Sequence, residues 1–121
     1  MHQYAYNENR AMKESSYRTA AKVFQILSHP ARLRILDELR KGEACVCHLQ
    51  TVLERPQAYV SQQLRVLREA GLVTDRKDGL LVYYRIDDPQ VKHMLEEALG
   101  PAGEPTCIST CPCPRCQGNI G

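Results

Sequence analysis

Between residues 57 and 86 the apolar pattern changes its period, and that change limits the folds open to this chain. Val60, Leu64 and Leu67 line one face of a helix running from about Gln57 to Ala70. Gly71 ends it, and Leu72 stands where a Schellman cap wants an apolar contact. From there the period is two. Leu72–Arg76 and Leu80–Ile86 read as strands flanking Lys77-Asp78-Gly79, and Asp-Gly is a strong tight-turn signal.

The elements on either side are helical. From about Met12 an apolar stripe of Tyr17, Ala20, Ala21, Phe24 and Leu27 predicts a first helix, broken by Ser28-His29-Pro30. Pro30 suits the first turn of a second helix, which carries Leu33, Ile35, Leu36 and Leu39 and stops at Gly42 behind Arg40 and Lys41. Residues 43–53 read as a short helix at most, with Val46, Leu49, Val52 and Leu53 inward. Glu54-Arg55-Pro56 then forces a turn, because Pro56 disfavours a helical Arg55. After the hairpin, Asp88 caps a last helix with Pro89 in its first turn, and its stripe is Val91, Met94, Leu95, Ala98 and Leu99.

The order helix, helix, short helix, turn, helix, hairpin, helix predicts a mainly α fold with a small β-hairpin, a winged helix-turn-helix. Three segments are expected: a flexible arm over 1–11, a DNA-binding and dimerisation domain over 12–99, and a Cys/Pro/Gly-rich tail over 100–121. The tail holds four of the seven prolines and four of the seven glycines, which is too little apolar material for a core of its own. With 121 residues and 43% hydrophobic content, the chain supports one small core and leaves little room for a deep substrate cavity. No Ser/His/Asp set, phosphate loop or paired carboxylates point to an enzyme. No apolar run approaches the ~18 residues of a membrane span, and MHQYAYNENR has no signal-peptide core, so a cytoplasmic protein with no membrane contact is expected.

The net charge of +2 conceals an uneven distribution. Residues 55–85 hold six Lys/Arg against three Asp/Glu, whereas residues 86–121 hold two against five. A basic segment over a helix-turn-helix fits a nucleic-acid footprint, since the second helix of that motif lies in a major groove about 12 Å wide. Gln57, Ala58, Tyr59, Ser61 and Gln62 occupy its first turns, where side chains reach base edges. Arg55, Arg65, Arg68, Arg76 and Lys77 are better placed for phosphates. Of Tyr83 and Tyr84 on the second strand, alternation should bury one.

The six cysteines are clustered: Cys45 and Cys47, then Cys107, Cys111, Cys113 and Cys116. In a cytosolic chain such clusters bind metal or sense redox state more often than they form structural disulfides. Two residues apart on an ideal helix, side chains point ~200° from each other, so Cys45 and Cys47 share an ion only if the segment is extended or the first turn of the short helix unwinds. Thiolates select As(III), Cd(II), Pb(II), Zn(II) or Cu(I). Two sulfurs do not complete a site for As(III) or Pb(II), which favour three, or for Cd(II) or Zn(II), which favour four ligands. The missing ligands are expected from the tail of the same or a partner subunit, with His48 as a further candidate. A thiol redox or persulfide sensor on the same scaffold is the main alternative, and a metal-buffering protein a lesser one.

Three blocks carry a family resemblance: Ser28-His29-Pro30-Ala31-Arg32-Leu33-Arg34-Ile35-Leu36, Glu43-Ala44-Cys45-Val46-Cys47-His48-Leu49, and Ser61 through Val73. Over roughly residues 17–99 their order and spacing resemble the ArsR/SmtB family of bacterial and archaeal metal- and metalloid-sensing repressors. The resemblance implies a homodimer joined through its first and last helices, bound to an inverted-repeat operator and released by an inducer. It also implies that Cys45-Val46-Cys47 matches the site that coordinates arsenic, cadmium or lead in some members. Two departures stand out. Gln63 replaces the His of the usual Ser-x-His-Leu, which keeps a donor and an acceptor for DNA. Asp88-Pro89-Gln90 lacks the His of an Asp-x-His pair, and Pro101 and Glu104 are not a ligand pair, so a zinc site between the last helices is not expected.

Overall fold

The computed structural model describes residues 7–104 and Cys111, with side chains from Lys13 onward. Its order is α1 (Asn7–Leu27), α2 (Pro30–Arg40), β1 (Ala44–Cys45), α3 (Val46–Leu53), α4 (Gln57–Glu69), β2 (Val73–Asp78), β3 (Leu81–Ile86) and α5 (Pro89–Leu99). This is the expected winged helix-turn-helix with one strand more. The segment read as a short helix from Glu43 is split: Ala44 and Cys45 pair with Tyr84 and Tyr83 as a strand, and the helix starts only at Val46. The sheet is antiparallel, in the order β1-β3-β2. Two residues are too short for a period to show, which is why the pattern missed β1.

Two boundaries also differ from expectation. Helix α1 begins at Asn7 rather than near Met12, so the backbone of residues 7–11 is helical rather than a loose arm. Glu8, Arg10 and Ala11 are good helix formers that carry no apolar period, so propensity extended the helix where the stripe gave no signal. In the wing, β2 runs through Asp78 and β3 starts at Leu81, which leaves Gly79-Leu80 as a two-residue turn with Gly79 at φ +65°.

The core lies where α2, α3 and α4 meet the sheet and α5. Ile35, Leu36, Leu49, Leu64, Leu67, Leu72 and Leu95 are fully buried, each burial contributing ~1.5–3 kcal/mol. The α4 stop is as expected. Gly71 takes φ +80°, its N–H donates to the Arg68 carbonyl, and the Leu72 N–H donates to the Leu67 carbonyl at 3.0 Å. Asp88 caps α5, accepting from the Gln90 N–H at 2.9 Å and the Val91 N–H at 3.4 Å. The α1 stripe behaves differently. Leu27 is buried and Val23 and Ile26 pack on the core, but Tyr17 and Phe24 stay 61% and 60% exposed. With Leu33, Met94, Leu95 and Ala98, Phe24 and Leu27 line an open groove of about 560 Å³ between α1 and α5. Among the described residues, no helix is long and apolar enough to cross a membrane.

Candidate metal centre and nucleic-acid interface

Cys45 ends β1 with extended backbone (φ −88°, ψ 168°) and is at the same time the cap residue of α3, so Cys47 falls in that helix's first turn. An extended residue leading directly into a helix turns side chains i and i+2 to the same side. The two sulfurs are 2.7 Å apart, so of the two alternatives the extended one applies at Cys45 and α3 need not unwind. Cys111 brings a third sulfur from the tail of the same chain, 3.4 Å from that of Cys45 and 3.7 Å from that of Cys47. The three Sγ atoms lie within 4.8 Å of one another. Around an ion with metal–sulfur bonds near 2.3 Å, tetrahedral geometry spaces sulfurs about 3.8 Å apart. Two of the three separations are near that value, and the third opens by about an ångström.

The donor set is chemically uniform: three thiols, the ligands of soft and borderline ions. Cys45 and Cys111 are buried, and Tyr83 packs with them, while Cys47 and Leu81 lie alongside. Burial raises the Cys45 thiol to about 11, and its contact with Cys47 adds to the rise. Cys47 is raised too, again chiefly by burial. Both thiols are therefore protonated at neutral pH and weak nucleophiles. His48, the further candidate ligand, lies outside the trio. It is fully buried, with Nε2 3.2 Å from Oε1 of Glu38, whose other oxygen accepts from Lys41 Nζ at 3.0 Å. Cys107, Cys113 and Cys116 lie outside the described residues.

The first residues beyond α5 make contacts with α2 that sequence reasoning missed. Arg40 at the end of α2 donates through Nη1 to the Gly100 carbonyl at 2.7 Å, and Gly103 passes beside the Lys41 side chain. Tyr83 and Tyr84 are both buried, against the expectation of one. Tyr84 belongs to the main core and Tyr83 to the sulfur cluster, because β3 is central in the sheet and is covered on both faces.

Ala58, Ser61, Gln62 and Arg65 line a shallow concavity along α4. Gln57, Ala58, Gln62 and Arg65 are exposed, and Ser61 is half-buried. Tyr59 is half-buried, with the Arg55 guanidinium 5.2 Å from its ring centre. Gln63 does not belong to this face. It is 8% exposed and its Oε1 accepts from Arg32 Nε at 2.8 Å, so it ties α4 to α2 rather than presenting its amide to DNA. Two arginines expected at phosphates have partners within the protein. Arg68 is 2.9 Å from Asp75, and Arg76 donates to both oxygens of Glu43 at 2.9 and 2.8 Å. Lys77 is exposed on β2.

Known proteins resemble this chain in sequence and fold. Residues 29–75 match the family model described as bacterial regulatory protein, arsR family. The chain is 40% identical over 94 residues to a cadmium resistance transcriptional regulatory protein CadC homolog of Staphylococcus aureus, covering 74% of this chain and 78% of that protein. It is 45% identical over 74 residues to the arsenical resistance operon repressor of Escherichia coli, covering 59% of this chain and 62% of that one. Among solved structures, the homodimeric winged helix-turn-helix DNA-binding domain Mb0332 of Mycobacterium bovis, a possible ArsR-family regulator, superimposes with a TM-score of 0.67 at 28% identity, covering 79% of this chain and 86% of that one.

Proposed function

The chain belongs to the arsR family of bacterial transcriptional regulators, which are not enzymes, and from that premise we propose that it is a DNA-binding repressor released from its operator when Cys45, Cys47 and Cys111 capture a soft metal or metalloid ion. The observation that carries this reading is the sulfur trio. Three thiols with no oxygen or nitrogen ligand among them suit a three-sulfur ion, As(III) or Pb(II), better than Cd(II) or Zn(II), which take a fourth ligand. The remaining tail cysteines of residues 100–121 are the reserve for such a fourth ligand or for a second site.

DNA is read by Gln57, Ala58, Tyr59, Ser61 and Gln62 at base edges, with Arg55 and Arg65 at phosphates and the wing residues beside them. Two copies join through α1 and α5. The exposed Tyr17, Phe24 and Leu99 and the groove between those helices support this, as does the homodimeric M. bovis domain. Each dimer thereby presents two α4 helices to an inverted repeat. Helix α3 carries Cys47 at its start and packs on α4 through Leu49, Leu53, Val60 and Leu64. An ion that ties β1, α3 and the tail together therefore restrains the support on which the reading helix rests.

The test is duplex binding by fluorescence anisotropy with reduced protein, titrated separately with arsenite, Pb(II) and Cd(II). Arsenite or Pb(II) should release the duplex. Cys45→Ser and Cys47→Ser should abolish the response, and Cys111→Ser should lower the sulfur coordination number seen by X-ray absorption from three to two. Release by oxidant alone, with no effect of any ion, would establish the thiol redox reading instead.

A further inference from the structure

The sulfur site and the wing share one row of the sheet. In the ladder Cys45 of β1 stands opposite Tyr83 of β3, and Tyr83 stands opposite Arg76 of β2. Residues directly opposed across antiparallel strands project from the same face, so the three form a line from the sulfurs to the wing. Tyr83 packs on Cys45 and Cys111. The Arg76 guanidinium lies 4.7 Å from the centre of the Tyr83 ring. The same guanidinium is held at both carboxylate oxygens of Glu43, two residues before Cys45, and is 3.9 Å from Asp78. Two of the groups that hold Arg76 thus belong to the structure around the thiols: Glu43 leads into β1, and Tyr83 is paired with it.

We infer that Arg76 is the positioning residue that couples ion capture to DNA release: it leaves Glu43 and Tyr83 for a backbone phosphate in the ion-free repressor and is locked onto them when the three sulfurs close on an ion. This rests on the sulfur-site reading above. The pair is partly hydrated, and a phosphate offers the guanidinium the same two-oxygen fork as Glu43, so the two compete for it. Cross-linking β1, α3 and the tail through one ion changes that balance. Glu43 and Tyr83 lose the freedom to separate, and the bidentate, ring-stacked seat of Arg76 becomes pre-organised. A divalent ion on three thiolates also leaves one net negative charge beside the ring, which further favours the cation.

The readout is the dependence of DNA affinity on salt, because every phosphate that the protein gives up lowers the slope of log K against log salt by roughly one unit. The probes are Pb(II), followed by its sulfur-to-lead absorption, and a duplex selected from random sequence by the ion-free protein. Loading should make the slope shallower by roughly one unit per protomer. Arg76→Ala should have the shallow slope already when ion-free and change no further on loading. Glu43→Gln should bind Pb(II) like the parent yet keep its steep slope when loaded. An unchanged parental slope on loading, or a Glu43→Gln protein whose slope falls as far as the parent's, would overturn the coupling. Release of DNA by Pb(II) from the Cys45→Ser, Cys47→Ser protein would overturn the sulfur-site reading itself, and the coupling with it.

Discussion

Arg40 Nη1 donates to the Gly100 carbonyl oxygen at 2.7 Å, which fastens the first residue beyond α5 to the end of α2. Arg40 is itself anchored to Asp37, one turn back on the same helix. Residues 100–103 are thereby held against the end of α2, with Gly103 beside Lys41. Arg40→Ala should free that segment. Cys111 would then reach Cys45 and Cys47 from a wider ensemble, and its effective concentration at the site would fall. Affinity for Pb(II) or arsenite should drop by about tenfold, with the sulfur coordination number unchanged at saturation. Titration of the sulfur-to-lead absorption measures the first, and X-ray absorption the second. Equal affinity would mean that Cys111 docks without help from Arg40.

Ion binding should also depend on pH, in a direction that the thiols set. Cys45 keeps its proton to about pH 11 because it is buried, and Cys47 is shifted the same way. Pb(II) arrives as a cation and must displace those protons, whereas arsenite, As(OH)3, takes up the thiol protons as water and releases none. Apparent affinity for Pb(II) should rise with pH by up to about tenfold per unit for each proton displaced, and the rise should continue until pH passes the Cys45 value. Duplex release at a fixed Pb(II) concentration should be weaker at about pH 6 than at about pH 8. Proton release into a weak buffer during the titration counts the thiols involved. A flat response over that range would show that the thiolates form before the ion arrives.

The two glutamines at the centre of α4 should separate structure from recognition. Gln63 is buried on Arg32, whereas Gln62 is exposed beside Ala58 and Arg65. Gln63→Ala should cost about 1–2 kcal/mol of stability, since the Arg32 hydrogen bond is charge-assisted, and should leave base preference alone. Gln62→Ala should leave stability within about 0.5 kcal/mol and relax preference at one base pair per half-site by ~1–3 kcal/mol. Urea unfolding and binding to a panel of single-base duplex variants distinguish them. A changed base preference in Gln63→Ala would return that residue to the reading face.

Most of the scaffold was legible because it is periodic. The α2 and α4 stripes, the Gly71 stop, the Asp88 cap and the switch to period two each rest on a local rule that the rest of the chain obeys. What was not legible depends on contacts across the sequence. Nothing near Cys45 announces that Tyr83 will pair with it, so β1 and the burial of both tyrosines were missed. The Cys-Val-Cys spacing raised the right question about geometry. The answer, an extended residue capping a helix, needed the strand to be known first. Four tail cysteines were equivalent on paper; Cys111 lies beside Cys45 and Cys47, and the other three fall outside the described residues. Gln63 shows the opposite case. Its amide pointed to DNA on paper, whereas it is buried and accepts from Arg32.

The turn between α3 and α4 stores strain at one residue. Glu54 closes α3 in the left-handed conformation (φ 55°, ψ 48°), where a side chain with Cβ is disfavoured, and it is the only non-glycine residue with positive φ among those described. That conformation lets the Arg55 N–H donate to the Gln50 carbonyl at 3.2 Å, just before Pro56 caps the start of α4. Glycine accepts the same geometry without the Cβ penalty of about 1–2 kcal/mol, but it adds freedom to the unfolded chain worth about 0.4–1 kcal/mol. Glu54→Gly should therefore stabilise the protein by up to about 1 kcal/mol, read as a higher urea midpoint at unchanged slope. Glu54→Val, with a branched Cβ, should destabilise it by about 1 kcal/mol or more. A glycine variant less stable than the parent would show that the Glu54 side chain contributes more to the turn than its backbone strain removes.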